Sequence, residues 1–266
     1  MIQRNKVTIL VFHDISKATA ERTFSYLSSR YNIIRLDQFL EACERKDQNL
    51  IPEKALIVTF DDGHIRNYSL LPLLERFAMP CTIFLCAGII NTKRHFWFKH
   101  RHETVSVEEL KKKSTEHKLK LLAESGFHPE RDYEFPQALT KLQIRKMAGM
   151  VNMEAHTMFH PCLPNCTDLQ ARTEIFGSKE TLEHQFGLRI KALAYPNGDY
   201  TEREIALTKE AGYRCGVTVD AGFNTIASDL YKLRRIDTND TDDINELIVK
   251  TSGLWTFFKS GFRIKT

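Results

Sequence analysis

The chain has 266 residues, 42% of them hydrophobic and 27% charged, with a formal net charge of +4. This composition is globular and supplies a sizeable core, and the length suits one α/β barrel with insertions better than two domains. The small, dispersed positive charge gives no basis for binding nucleic acid, and the absence of a fixed-period repeat excludes a solenoid.

In chain order, the first predicted element is a strand at Val7–Phe12, which is too short to cross a bilayer and is followed by no small-residue cleavage site. The expected location is therefore the cytosol or the inner membrane face. The strand ends in Val11-Phe12-His13-Asp14, where the plain reading of His13 is a buried structural histidine. A second strand, Ala55–Phe60, runs into Thr59-Phe60-Asp61-Asp62-Gly63. Two adjacent carboxylates thus arrive at a strand's C-terminal end, where α/β barrels gather their functional groups, although an Asp-Asp-Gly turn with solvated carboxylates has the same sequence.

After a third strand at Cys81–Leu85, residues 91–136 exceed any ordinary βα loop and are rich in Lys, His and Glu, which marks an insertion. Its Lys111-Lys112-Lys113 run reads as a solvated helix face, or as a cover over the barrel mouth that touches an anionic or sugar substrate. His95, His100 and His102 are assigned to the insertion's surface. Capping boxes at Thr140/Gln143, Thr167/Gln170 and Thr201/Glu204 predict three helix starts, and Gly212 predicts the end of the last of these helices.

The strand Val151–Ala155 leads into Glu154-Ala155-His156-Thr157-Met158-Phe159-His160-Pro161. Two imidazoles four residues apart are expected on one side of a helical turn, closed by Pro161, and with a carboxylate they suit zinc. With ten histidines in the chain, the pair alone decides little. A strand at Ala192–Tyr195 then enters Ala194-Tyr195-Pro196-Asn197-Gly198-Asp199-Tyr200, otherwise a Pro-Asn-Gly turn.

Strands at Cys215–Val219 and Tyr231–Arg235 bring the total to about seven. The tail containing Trp255-Thr256-Phe257-Phe258-Lys259, Arg263 and Lys265 either packs its aromatics on the barrel, the favoured reading, or docks on an anionic membrane surface. The six cysteines, at positions 43, 81, 86, 162, 166 and 215, form no disulfide framework and read as reduced thiols. Cys162 and Cys166 have a spacing that could hold zinc but lack a second pair.

Together, the three loops after these strands resemble the polysaccharide deacetylases, the NodB-homology or family-four carbohydrate esterases, with matching order and spacing from about Val7 to Ile236. Thr59–Gly63 looks like the first motif, His156-Thr157-x-x-His160-Pro161 like the second, and Tyr195-Pro196-Asn197-Gly198 like a variant of the third. The resemblance implies a single distorted or incomplete (β/α) barrel over residues 1–266. It also implies a divalent metal, usually zinc, held by Asp62, His156 and His160, with Asp61 as general base and the Asn197 backbone N–H at the oxyanion.

Two departures matter. The third motif's usual arginine is replaced by Ala194, and its role in orienting the base is reassigned to Arg235. The usual C-terminal acid histidine is absent, and His13 is its expected replacement, as in deacetylases of poly-N-acetylglucosamine that carry an N-terminal Tyr-His-Asp element. The function implied is removal of N-acetyl groups from an N-acetylated sugar or glycan precursor. The alternatives are a silent glycan-binding module, or a deformylase or amidase acting on a non-polymeric substrate.

Overall fold

The computed structural model describes residues 5–253. Eight parallel strands form one sheet: β1 (Val7–Phe12), β2 (Asn32–Ile33), β3 (Ala55–Phe60), β4 (Cys81–Leu85), β5 (Val151–Ala155), β6 (Ala192–Ala194), β7 (Cys215–Val217) and β8 (Ile236–Asp237). Their order is β7-β6-β5-β4-β3-β1-β8, with the two-residue β2 paired to the start of β3. The sheet curls into an incomplete (β/α) barrel. Parallel pairing joins β1 to β8, and an isolated bridge from Val217 to Leu233 links the end of β7 to the segment that leads into β8.

Strands buried on both faces read as near-continuous apolar runs, and β1, β3 and β4 are buried throughout, with Thr8, Thr59 and Thr82 their only polar residues. Alternation then sorts them. Ile9, Ile57, Phe84, Ala194 and Val217 share one apolar cluster inside the curl. Leu10, Phe12, Leu56, Val58 and Leu85 belong to a second cluster with Phe24, Leu74, Ile175 and Leu182 of the surrounding helices.

All three capping boxes form, starting the helices Lys141–Met147, Asp168–Phe186 and Glu202–Glu210. Gly212, at φ +76°, ends the last of them.

Four strands have the expected bounds, and β6 and β7 are shorter than expected. The expected strand at Tyr231–Arg235 is not one. Asp229 accepts from the Tyr231 N–H and winds Leu230–Lys232 into a 3-10 turn, so pairing with β1 begins only at Ile236.

Residues between β4 and β5 fold into the helices Val107–Lys111 and Thr115–Glu124 over a small core of Trp97, Leu110, Leu122 and Phe127, closed by Cys162. The surface assignment of the insertion's histidines is corrected by this packing. His95, His100 and His102 are partly buried, with His95 stacked on Tyr133 at 4.2 Å and its Nδ1 3.2 Å from His100 Nε2. No described helix is long and apolar enough to cross a membrane. The aromatic tail from Trp255 onward lies outside the described residues.

Candidate active site

The ends of β1, β3 and β5, with the loops after β6 and β7, surround a cleft of about 350 Å³ whose lining includes His13, Asp61, Asp62, His156, His160 and Asn197. Asp61 and Asp62 leave β3 in opposite directions because Asp62 adopts a left-handed backbone at φ 70°, followed by Gly63 at φ 71°. A Cβ on Gly63 would stand 2.6 Å from Leu85 Cδ2, so the turn requires glycine on two counts.

Arg235 holds Asp61. Its Nη1 and Nη2 donate to Oδ1 and Oδ2, each at 2.7 Å, while Nε donates to the Thr218 carbonyl at 2.8 Å. The guanidinium is fully buried, with the Phe84 ring centroid 5.5 Å away. Burial by itself would raise the Asp61 carboxyl, but the Arg235 charge, the neighbouring His156 and the Arg235 hydrogen bonds hold it below the usual carboxylate range.

On the other side, Asp62 Oδ1 lies 3.5 Å from His156 Nε2 and 3.5 Å from His160 Nε2. Its Oδ2 lies 3.0 Å from His64 Nε2. Burial opposes ionisation of Asp62, yet the His64 hydrogen bond depresses its pKa far below the usual value. His156 donates Nδ1–H to the Ala194 carbonyl at 2.8 Å, which turns Nε2 toward Asp62. That carbonyl is itself set by Glu154, which accepts from the Lys191 and Ala192 N–H groups at 2.7 and 2.8 Å and ties the start of β6 to β5. Burial pushes His160 down to about 3, so its ring stays neutral despite Asp62.

The helical turn expected for His156–His160 does not form. Thr157 and His160 are left-handed, at φ 64° and 56°, and the two rings meet edge-on at 4.8 Å. A β-branched residue at positive φ is strained, and such strain costs on the order of 1–3 kcal/mol. Thr157 stays there because its Oγ1 accepts the His160 N–H at 3.1 Å and its carbonyl accepts the Ala87 N–H at 2.9 Å. The strain sits where it aims His160 at Asp62.

These residues fit a divalent cation. Asp62, His156 and His160 present buried ligand atoms within 4.8 Å of one another, and Asp62 Oδ1 has no hydrogen-bond partner. They form the one such cluster among the described residues. Cys162 and Cys166 are not part of it; both are free and buried, and the Cys166 thiol donates to the Cys162 carbonyl at 3.7 Å.

His13 stands on the rim of the cleft. The carboxylate beside it is Asp240 rather than the neighbouring Asp14, which pairs with Arg66 and Lys99. Asp240 accepts the His13 and Asp14 backbone N–H groups at 2.8 and 3.1 Å, and its Oδ2 lies 3.6 Å from His13 Nδ1. Burial would lower His13, but Asp240, Asp62 and Asp61 raise it to about 9.

Asn197 has a left-handed backbone at φ 56°. Its side chain donates to Cys162 Sγ at 3.5 Å. Lys111 also lines the cleft, paired to Glu108 at 2.7 Å. Sequence reasoning missed His64 and Asp240. His64 directly follows the Asp-Asp-Gly turn, a position that could have marked it, whereas nothing local ties Asp240 to His13 across 227 residues.

A family model described as polysaccharide deacetylase matches residues 49–216. The Bacillus subtilis (strain 168) protein YxkH, provisionally named a polysaccharide deacetylase, is 24% identical over 239 residues, covering 87% of this chain and 71% of that protein. The Streptococcus pyogenes deacetylase PplD, solved with acetate, superposes with a TM-score of 0.65 at 21% identity, covering 87% of this chain and 92% of PplD. The BpsB deacetylase domain of Bordetella bronchiseptica gives 0.64 at 18% identity, with 88% and 96% coverage. IcaB from Ammonifex degensii gives 0.64 at 17% identity, with 87% and 91% coverage. At these identities the three structures speak to the fold. His13, Arg235 and Asp240 lie outside the matched segment 49–216.

Proposed function

The chain belongs to the polysaccharide deacetylase family, hydrolytic enzymes that remove acetyl groups from sugars, and from that premise we propose that it is a metal-dependent N-deacetylase of an N-acetylated sugar or glycan precursor. The observation that carries the reading is the division of labour between adjacent carboxylates. Asp62 faces two imidazoles with an unpartnered oxygen, while Asp61 is locked to Arg235.

Asp62, His156 and His160 would hold a divalent cation, which would supply Lewis acidity toward an acyl oxygen and a water. Asp61 is ionised and fixed in orientation, so it accepts the proton of the attacking water. An amine is a poor leaving group until protonated. His13, on the same cleft and protonated up to about pH 9, delivers that proton to nitrogen. Arg235 touches no substrate in this scheme; it positions Asp61. The Asn197 backbone N–H, at the left-handed turn beside the cleft, is assigned to the developing oxyanion.

A base held in a fully buried ion pair argues against a silent binding module, which has no use for an oriented proton acceptor. The test is mass spectrometry of a panel of N-acetylated sugars incubated with zinc-loaded protein. The expected result is loss of one acetyl mass from at least one sugar. Loss of a formyl mass, or unaltered sugars throughout, would contradict the reading.

A further inference from the structure

Behind the catalytic cleft lies a second cavity of about 350 Å³, built mostly by the insertion and lined by Trp97, Lys118, Leu119, Phe127, Phe159 and Pro161 among others. Its size falls in the range of small-molecule sites, roughly 300–1,000 Å³. It is separate from the cleft: the Trp97 indole N–H donates to the His160 carbonyl at 2.7 Å, and this bond closes the wall between them.

The unusual group here is Lys118, only 2% exposed. Lysine is almost never buried unless paired, yet among the described residues no carboxylate lies within ion-pair distance of this ammonium, whose neighbour is the Trp97 ring at 4.1 Å. Two carboxylates also line the cavity. Glu174 is committed elsewhere, accepting the Met158 and Phe159 N–H groups at 2.8 and 2.9 Å, and Glu130 is exposed. Burial lowers the Lys118 pKa despite the opposing fields of Cys162, Cys166 and Glu174, none within ion-pair distance of the ammonium, so an arriving anion would be rewarded for restoring its charge.

We propose that this cavity is a second ligand site, which takes a monocarboxylate with an apolar body, its head on the Lys118 ammonium and its chain against Leu119, Phe127, Phe159 and Pro161. The site is independent of the deacetylase reading, because none of its named contacts belongs to the proposed catalytic set.

The test is isothermal titration of the intact protein with octanoate, n-octanol and octylammonium. Octanoate should bind at least roughly tenfold more tightly than n-octanol, as expected for one charge-assisted contact in a desolvated site, and octylammonium most weakly. Lys118→Met should fold, because it keeps the apolar stem, and should bring octanoate down to the affinity of n-octanol. Equal binding of octanoate and octanol to the wild-type protein, or no binding of either, would overturn the proposal without reference to the variant. So would undiminished octanoate binding by a folded Lys118→Met protein.

Discussion

Arg235 and Asp61 lie 174 residues apart in sequence and meet through two parallel hydrogen bonds of 2.7 Å, fully buried, at the point where β3 ends and β8 begins. A fork of this kind fixes both the charge and the direction of the carboxylate, which a point charge on a flexible stem does not.

Arg235→Lys should therefore impair turnover even though charge is conserved, because one ammonium cannot hold both oxygens in the same plane. Arg235→Met should cost about 3–5 kcal/mol of stability by leaving Asp61 buried and unpaired. It should also let the Asp61 pKa rise, moving the acid limb of the kcat/KM profile to higher pH. An acid limb unmoved in both variants would show that Asp61 is not the base.

For His13, the expected result of His13→Ala is a loss of roughly 10²–10⁴ in kcat with bound metal retained. The folded pKa is raised from 6.5 to about 9, so the stabilising pair with Asp240 is fully present below about pH 6.5 and is lost as pH rises through about 9. Activity that needs the protonated ring should fall over the same upper range. Asp240→Asn should pull that alkaline limb to lower pH, because it removes the main group raising His13. A limb at the same pH in Asp240→Asn would assign the acid to another group.

His64 was not singled out by sequence, yet its Nε2 is 3.0 Å from Asp62 Oδ2 and its side chain is only 4% exposed. A partner that orients a ligating carboxylate is worth about 10–100-fold in metal affinity. His64→Ala should weaken metal binding by that amount in equilibrium titrations, with turnover largely restored at saturating metal. Metal affinity unchanged from the wild-type protein would make His64 a packing residue for Phe96, whose ring it meets at 4.8 Å.

Much of this architecture was legible because the strands that carry the chemistry are buried on both faces and so read as unbroken apolar runs. The bounds of β1, β3 and β4 follow from that alone, whereas β5 carries Asn152 and Glu154 among its apolar residues. The end of the barrel was not legible in the same way. Tyr231 is drawn into a turn by Asp229, a tertiary choice that the apolar pattern cannot encode, and β2 is too short to show a period. The carboxylates and histidines were visible as residue types after strands. The left-handed backbones at Asp62, Thr157 and His160 that aim them were not, since only Gly63 announces a special φ.

The most direct test of the central claim is a paired measurement of bound metal and acetate release on three proteins, the wild type, His156→Ala and Asp61→Asn. If Asp62, His156 and His160 hold the metal and Asp61 takes the proton, the wild-type protein carries metal and releases acetate, His156→Ala does neither, and Asp61→Asn keeps its metal while releasing none. Metal retained by His156→Ala at the wild-type level, or acetate release by Asp61→Asn at the wild-type rate, would contradict it.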